Sequence, residues 1–117
     1  MRIVFFALAS FAVASLPLAA QAKPLTEHER YICKWGSGMA GEAQAHKLAG
    51  VSRYGARSKI QARKFERQWM RTMALRISEQ TYDSESRLKP ASIRQVYYDG
   101  CVRHEMARRQ ARSSRFN

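Results

Sequence analysis

Residues 26–48 read TEHERYICKWGSGMAGEAQAHKL, and their reading sets the architecture of the chain. Thr26 and Glu29 form a capping box, in which the hydroxyl accepts the backbone N–H three residues on and the carboxylate reaches back to the threonine amide. A helix is predicted to begin there and to stop at Gly50, just past Leu48. Ile32, Trp35, Met39, Ala43 and His46 recur at spacings of three and four along it. Its middle is small: Gly36, Gly38, Ala40, Gly41, Ala43 and Ala45. Each interior glycine costs a helix about 0.5–1 kcal/mol against alanine. The glycines therefore imply either a neighbour at close range or a break near Trp35, and close approach is the reading taken.

Working outward, Ser58 and Gln61 form a second box, Ser-Lys-Ile-Gln, after a loop over 51–57. The spacing predicts a helix from there to about Gln80. Ala62, Phe65, Trp69, Met73 and Ile77 fall on one side of it, while Lys59, Arg63, Lys64, Arg67 and Arg71 fall opposite. Pro90 suits the first turn of a third helix, where a missing N–H does no harm. Ile93, Val96, Tyr97, Cys101 and His104 then share a face, with Asp99-Gly100 as the weak point. No strand-like alternation or internal repeat is present. The expected fold is all-α, a small three-helix bundle in up-down-up order with one disulfide between its first and third helices. In that arrangement the bridged helices run parallel. Cys33 lies about 7 residues past Thr26 and Cys101 about 11 past Pro90, placing the thiols at similar heights.

Met1 and Arg2 precede an almost wholly apolar run, Ile3 to Leu18, and Ala20-Gln21-Ala22 offers small residues at the −3 and −1 sites. This pattern is that of a cleavable export signal cut after Ala22, leaving Lys23 as the mature start. Ser10, Ser15 and Pro17 interrupt the apolar run and weigh against a retained anchor. The domain reading follows: 1–22 signal peptide, 23–106 helical domain, 107–117 a basic arm without regular structure. The expected location is periplasmic or secreted. An exported chain meets an oxidising compartment, in which Cys33 and Cys101, its two cysteines, are expected to pair. Closing a loop of that length stabilises a fold by about 4 kcal/mol in the chain-entropy model.

The full chain carries a formal charge of +12. The segment 53–76 holds Arg53, Arg57, Lys59, Arg63, Lys64, Arg67, Arg71 and Arg76 against Glu66 alone, and the end of the chain is rich in arginine. The layout resembles that of small exported bacterial proteins of unknown function with two cysteines. The matching features are the signal peptide, a cysteine in the first turns of an Ala/Gly-rich helix (Cys33 to Ala45), a long middle helix, and late tyrosines followed by cysteine (Tyr97, Tyr98, Cys101). The resemblance brings no site residues with it.

Catalytic motifs do not stand out, and the expectation is that the protein is not an enzyme. His104-Glu105-Met106-Ala107-Arg108 resembles a zinc-protease pattern, but Arg108 occupies the second ligand position and a guanidinium does not bind zinc. His104 is left as a half-buried helix-face residue. Cys33, Cys101 and His104 as metal ligands compete with the disulfide, and neither Cys-x-x-Cys nor a haem attachment motif is present. No cofactor is expected. No pair of carboxylates is nominated by spacing for glycan hydrolysis.

The basic stripe carries the functional expectation. Lys59, Arg63, Arg67 and Arg71 step by four, joined by Lys64, with Arg108, Arg109 and Arg112 as a second contact. One acid among eight bases leaves self-repulsion unless an anion answers it. The expected partners are anionic lipid headgroups, lipopolysaccharide or an acidic protein, with no sequence-specific nucleic acid. The competing readings are a solvated cationic surface without a ligand and a periplasmic stress or holding chaperone that loosens in acid. Phe65 and Trp69 are read as core, and Trp35, Met39, Met70 and Met73 as interface filling.

Overall fold

A computed structural model describes residues 24–116, and the export segment lies outside them. Four helices follow in order: α1 Glu27–Leu48, α2 Arg53–Ala62, α3 Gln68–Asp83 and α4 Pro90–Phe116. The expectation of three helices is thereby corrected, because the long middle helix is two. Ser52, not Ser58, starts the first of them, its hydroxyl accepting from the Gly55 amide at 3.0 Å. Ser58 falls inside α2.

Charge explains the break at 63–67. Ala56, Met70, Ala74, Ile77 and Thr81 are buried and Ile60 is half-buried. Those positions share one helical phase, and an unbroken helix would place Arg63 and Arg67 on the same inward stripe. Burying a guanidinium without full partners is costly. The chain turns instead, and α2 folds back antiparallel on α3. Arg53 reaches Glu79 at 3.0 Å and also pairs with Asp83. Arg57 pairs with Glu79, and the Tyr82 hydroxyl donates to the Val51 carbonyl at 2.7 Å.

The central element is α1. Its capping box is present, with the Glu29 amide donating to Thr26 Oγ1 and the Thr26 amide to Glu29 Oε1, each at 3.1 Å. It runs unbroken through its glycines, and close approach is the reason. A Cβ on Gly36 would lie 2.7 Å from Tyr97 Cε1 of α4 and 2.9 Å from Met73 Cε of α3. One on Gly41 would lie 2.6 Å from Arg94 Cγ. With α3 lying parallel to it on one flank and α4 antiparallel on the other, α1 separates the two.

The disulfide joins Cys33 to Cys101, with Cα atoms 5.5 Å apart, and so links α1 to α4. The bridged helices run antiparallel, which corrects the parallel arrangement expected. Gln44 Nε2 donates to the Leu88 carbonyl at 2.8 Å, fixing the start of α4 beside the second half of α1. Eleven residues separate Cys33 from Gln44, and eleven separate Pro90 from Cys101. The two sulfurs therefore meet from opposite directions. Lys47 Nζ completes the hold on the α3–α4 linker, donating to the carbonyls of Thr81, Ser84 and Ser86 at 3.1, 2.9 and 2.9 Å.

Helix α4 crosses Asp99-Gly100 without a break and continues to Phe116, so the arm expected to lack regular structure is helical over 107–116. Among the described residues the buried apolar side chains are Leu25, Cys33, Ala40, Ala43, Ala56, Met70, Ala74 and Ile77. Half of them are alanine, and no aromatic ring is among them. Such a core excludes little apolar surface from water, which raises the share of stability left to the bridge.

Candidate anion-binding surface

The turn between α2 and α3 carries most of the basic stripe. Lys59 stands on the last turn of α2, Arg63 caps that helix, Lys64 lies in the turn, Arg67 is the N-cap residue of α3, and Arg71 sits in the first turn of α3. The stripe is thus bent around a corner rather than drawn along one helix face.

Two of the five cations have internal duties. Arg63 forks onto Glu42 of α1, with one Nη at 3.2 Å from Oε2 and the other paired to Oε1. This hydrogen bond from Arg63 is the first reason the Glu42 carboxyl stays below the ordinary carboxylate value, against the opposing effect of its partial burial. The same bond raises the guanidinium of Arg63. The Arg63 Cζ also lies 5.8 Å from the centre of the Phe65 ring. Arg71 approaches that ring at 5.7 Å and donates through Nη2 to the Arg63 carbonyl at 2.9 Å. Together Arg63 and Arg71 brace the turn.

Lys59, Lys64 and Arg67 are different. All three are exposed, and among the described residues none has an acidic partner. The turn adds a further positive element, since Arg67 provides no side-chain cap and the first turn of α3 has no acid. Unsatisfied N–H groups at a helix start carry partial positive charge. Glu66 is the one acid in the turn.

The second cluster lies on the other flank of α1. Arg109 donates to the Pro24 carbonyl at 2.7 Å and pairs with Glu29. The Glu29 carboxyl is held low first by its bond from the Thr26 amide, with Arg109 adding to the effect. Arg108 pairs with Glu105 at 3.2 Å, and Arg112 is exposed. The two clusters do not converge on one point.

Beside the turn is an open groove of about 310 Å³ lined by Tyr31, Trp35, Met39, Arg63, Lys64, Phe65, Glu66 and Met70. Tyr31, Trp35 and Met39 are four residues apart on α1. The Trp35 ring meets Trp69 edge-on at 5.5 Å and Phe65 at 6.3 Å. Trp69 is 37% exposed and Tyr31 50%. The expectation that Trp69 belongs to the core is corrected here: Met70, one residue on, turns inward in its place. Ile77 is buried as expected, but toward the start of α3 the buried positions are Met70 and Ala74, each one residue after Trp69 and Met73, because no helix runs through 63–67.

His104 is exposed rather than half-buried. The disulfide takes both thiols that a metal site would use, and no group of three His, Cys, Asp or Glu among the described residues is gathered to hold a metal ion. Comparison with family models, with curated proteins and with solved structures finds no match to this chain.

Proposed function

We propose that the protein is exported and cleaved after Ala22, and that it holds an anionic envelope surface through Lys59, Lys64 and Arg67 at the α2–α3 turn, with Arg112 on α4 as a second contact. The observation that carries this reading is the division of labour within the stripe. Arg63 and Arg71 are committed to Glu42, Phe65 and the backbone, whereas their three neighbours face solvent with no acid opposite. Like charges held on a rigid corner repel each other, and a phosphate-bearing surface relieves that repulsion. The supply of cations adds to it, since arginine is the main basic residue and its planar fork matches phosphate oxygens. The role is binding rather than catalysis.

The test is binding of the oxidised protein to vesicles containing anionic lipid, at low and at physiological salt. A basic residue near such a surface contributes about 1 kcal/mol. Replacing Lys59, Lys64 and Arg67 together by glutamine is expected to weaken binding about a hundredfold, and salt is expected to weaken the parent likewise. No affinity at low ionic strength, or a triple variant that binds as tightly as the parent, refutes the reading. Mass analysis of protein recovered from its host checks the export step, with a chain starting at Lys23 as the expected result.

A further inference from the structure

We infer that the aromatic groove beside the turn is an interfacial docking site for an anionic phospholipid bilayer, so that the protein lies on a membrane surface with rings and cations engaged together. This rests on the proposed function and names its ligand. A soluble polyanion needs only the cations. The structure adds rings that the fold does not use in its core.

The placement of the aromatics is the first argument. Small residues fill most of the buried positions of α1 and the buried position of α2, while Tyr31 and Trp69 stay 50% and 37% exposed. A small protein short of core volume gains by burying its largest rings. Here Trp69 is left at the surface edge-on to Trp35, which meets Phe65 in the same way, and Tyr31 lines the groove with Trp35 and Phe65. Tryptophan and tyrosine suit the headgroup level of a bilayer, where the ring meets apolar chains and its polar edge meets water.

Charge is the second. Three cations outnumber the one acid lining the groove, Glu66: Lys64 lines the groove itself, Arg67 lies two residues before Trp69, and Lys34 is one helical turn from Tyr31 on α1. All three are exposed. Rings flanked by lysine and arginine have the chemistry of a protein that rests in the interface, with side chains among the headgroups and cations on phosphates. Among the described residues no helix is long and apolar enough to cross a membrane, so the contact is made by a surface patch.

Two tryptophans exist in the whole chain, and both belong to this patch. Their emission therefore reports on the site alone. With phosphatidylglycerol-containing vesicles the oxidised protein is expected to show a blue shift and quenching by brominated acyl chains. Inorganic polyphosphate is expected to bind without either change. Tyr31→Ser, at a half-exposed position, is expected to lower vesicle affinity about tenfold while leaving polyphosphate affinity unchanged. Binding to vesicles with no blue shift and no quenching, or with Tyr31→Ser indistinguishable from the parent, overturns the docking site and leaves anion binding standing. Failure to bind either vesicles or polyphosphate at low salt overturns the anion-binding reading itself.

Discussion

Two glycines two residues apart on α1, Gly36 and Gly38, should respond oppositely to the same substitution. Both lie inside α1 with ordinary helical backbone, since the positive φ among the described residues is at Gly50. Replacing either by alanine removes an entropic handicap of about 0.5–1 kcal/mol. At Gly38 nothing lies within 4 Å of the new Cβ, so Gly38→Ala is expected to stabilise by that amount. At Gly36 the methyl would meet Tyr97 Cε1 at 2.7 Å, Tyr97 Oη at 2.8 Å and Met73 Cε at 2.9 Å. The methionine end can swing aside, but the tyrosine ring is half-buried against α1 and must move with α4. Overpacking of this kind costs about 1–3 kcal/mol, leaving Gly36→Ala about 1–2 kcal/mol less stable than the parent. The separation between the two variants is then about 2 kcal/mol, or roughly 10 °C in Tm for a domain this small. Urea unfolding of the oxidised proteins, followed by far-UV circular dichroism with unchanged m, measures it. Tyr97→Leu should remove most of the Gly36→Ala penalty in a double-mutant cycle. Equal stabilisation by both alanines would refute the close packing of α4 on α1.

Other perturbations test separate parts of the fold. Thr26→Ala removes the capping hydroxyl and is expected to cost about 1 kcal/mol, read from the same urea transitions. Glu29, Glu42 and Glu79 are all held below the ordinary value of 4.5, led respectively by the Thr26 amide, Arg63 and Arg57. Carboxyls lowered in the folded state contribute stability that is complete above 4.5 and is lost as pH falls through their folded values. Tm is thus expected to be level from pH 7 to about 5 and to fall below about 4.5, and a level Tm down to pH 3 would contradict those ion pairs. A parallel rise in apolar dye binding would support a holding role in acid. Replacing Cys33 and Cys101 by serine is expected to cost about 4 kcal/mol and to strip amide protection from α4 before α3, as hydrogen exchange will show.

Several features are legible in the sequence because each has a local cause. The Thr26 box and the Pro90 helix start follow from side chains within a turn or two, and the glycines of α1 announce a close neighbour without saying which. The cysteine pairing was legible because two thiols leave one choice. The turn at 63–67 was hidden for a physical reason: it contains neither glycine nor proline, and the apolar period of α2 continues in phase through it into α3. The clue was the residue type at the inward positions, Arg63 and Arg67, which a buried stripe does not accept. An unbroken middle helix would turn Trp69 inward in place of Met70, and the aromatic groove depends on the turn that replaces it. The direction of the bridged helices had no local signature, because equal offsets along two helices fit either orientation.

The order in which α1 finds its neighbours has a kinetic consequence. Its small-residue face is covered by α3 and α4, which follow it by tens of residues, while α2, next in the chain, lies mainly against α3. An emerging α1 therefore lacks both of its covering helices until α4 has been made. Pairings of such long range make a small helical protein fold more slowly than its size suggests.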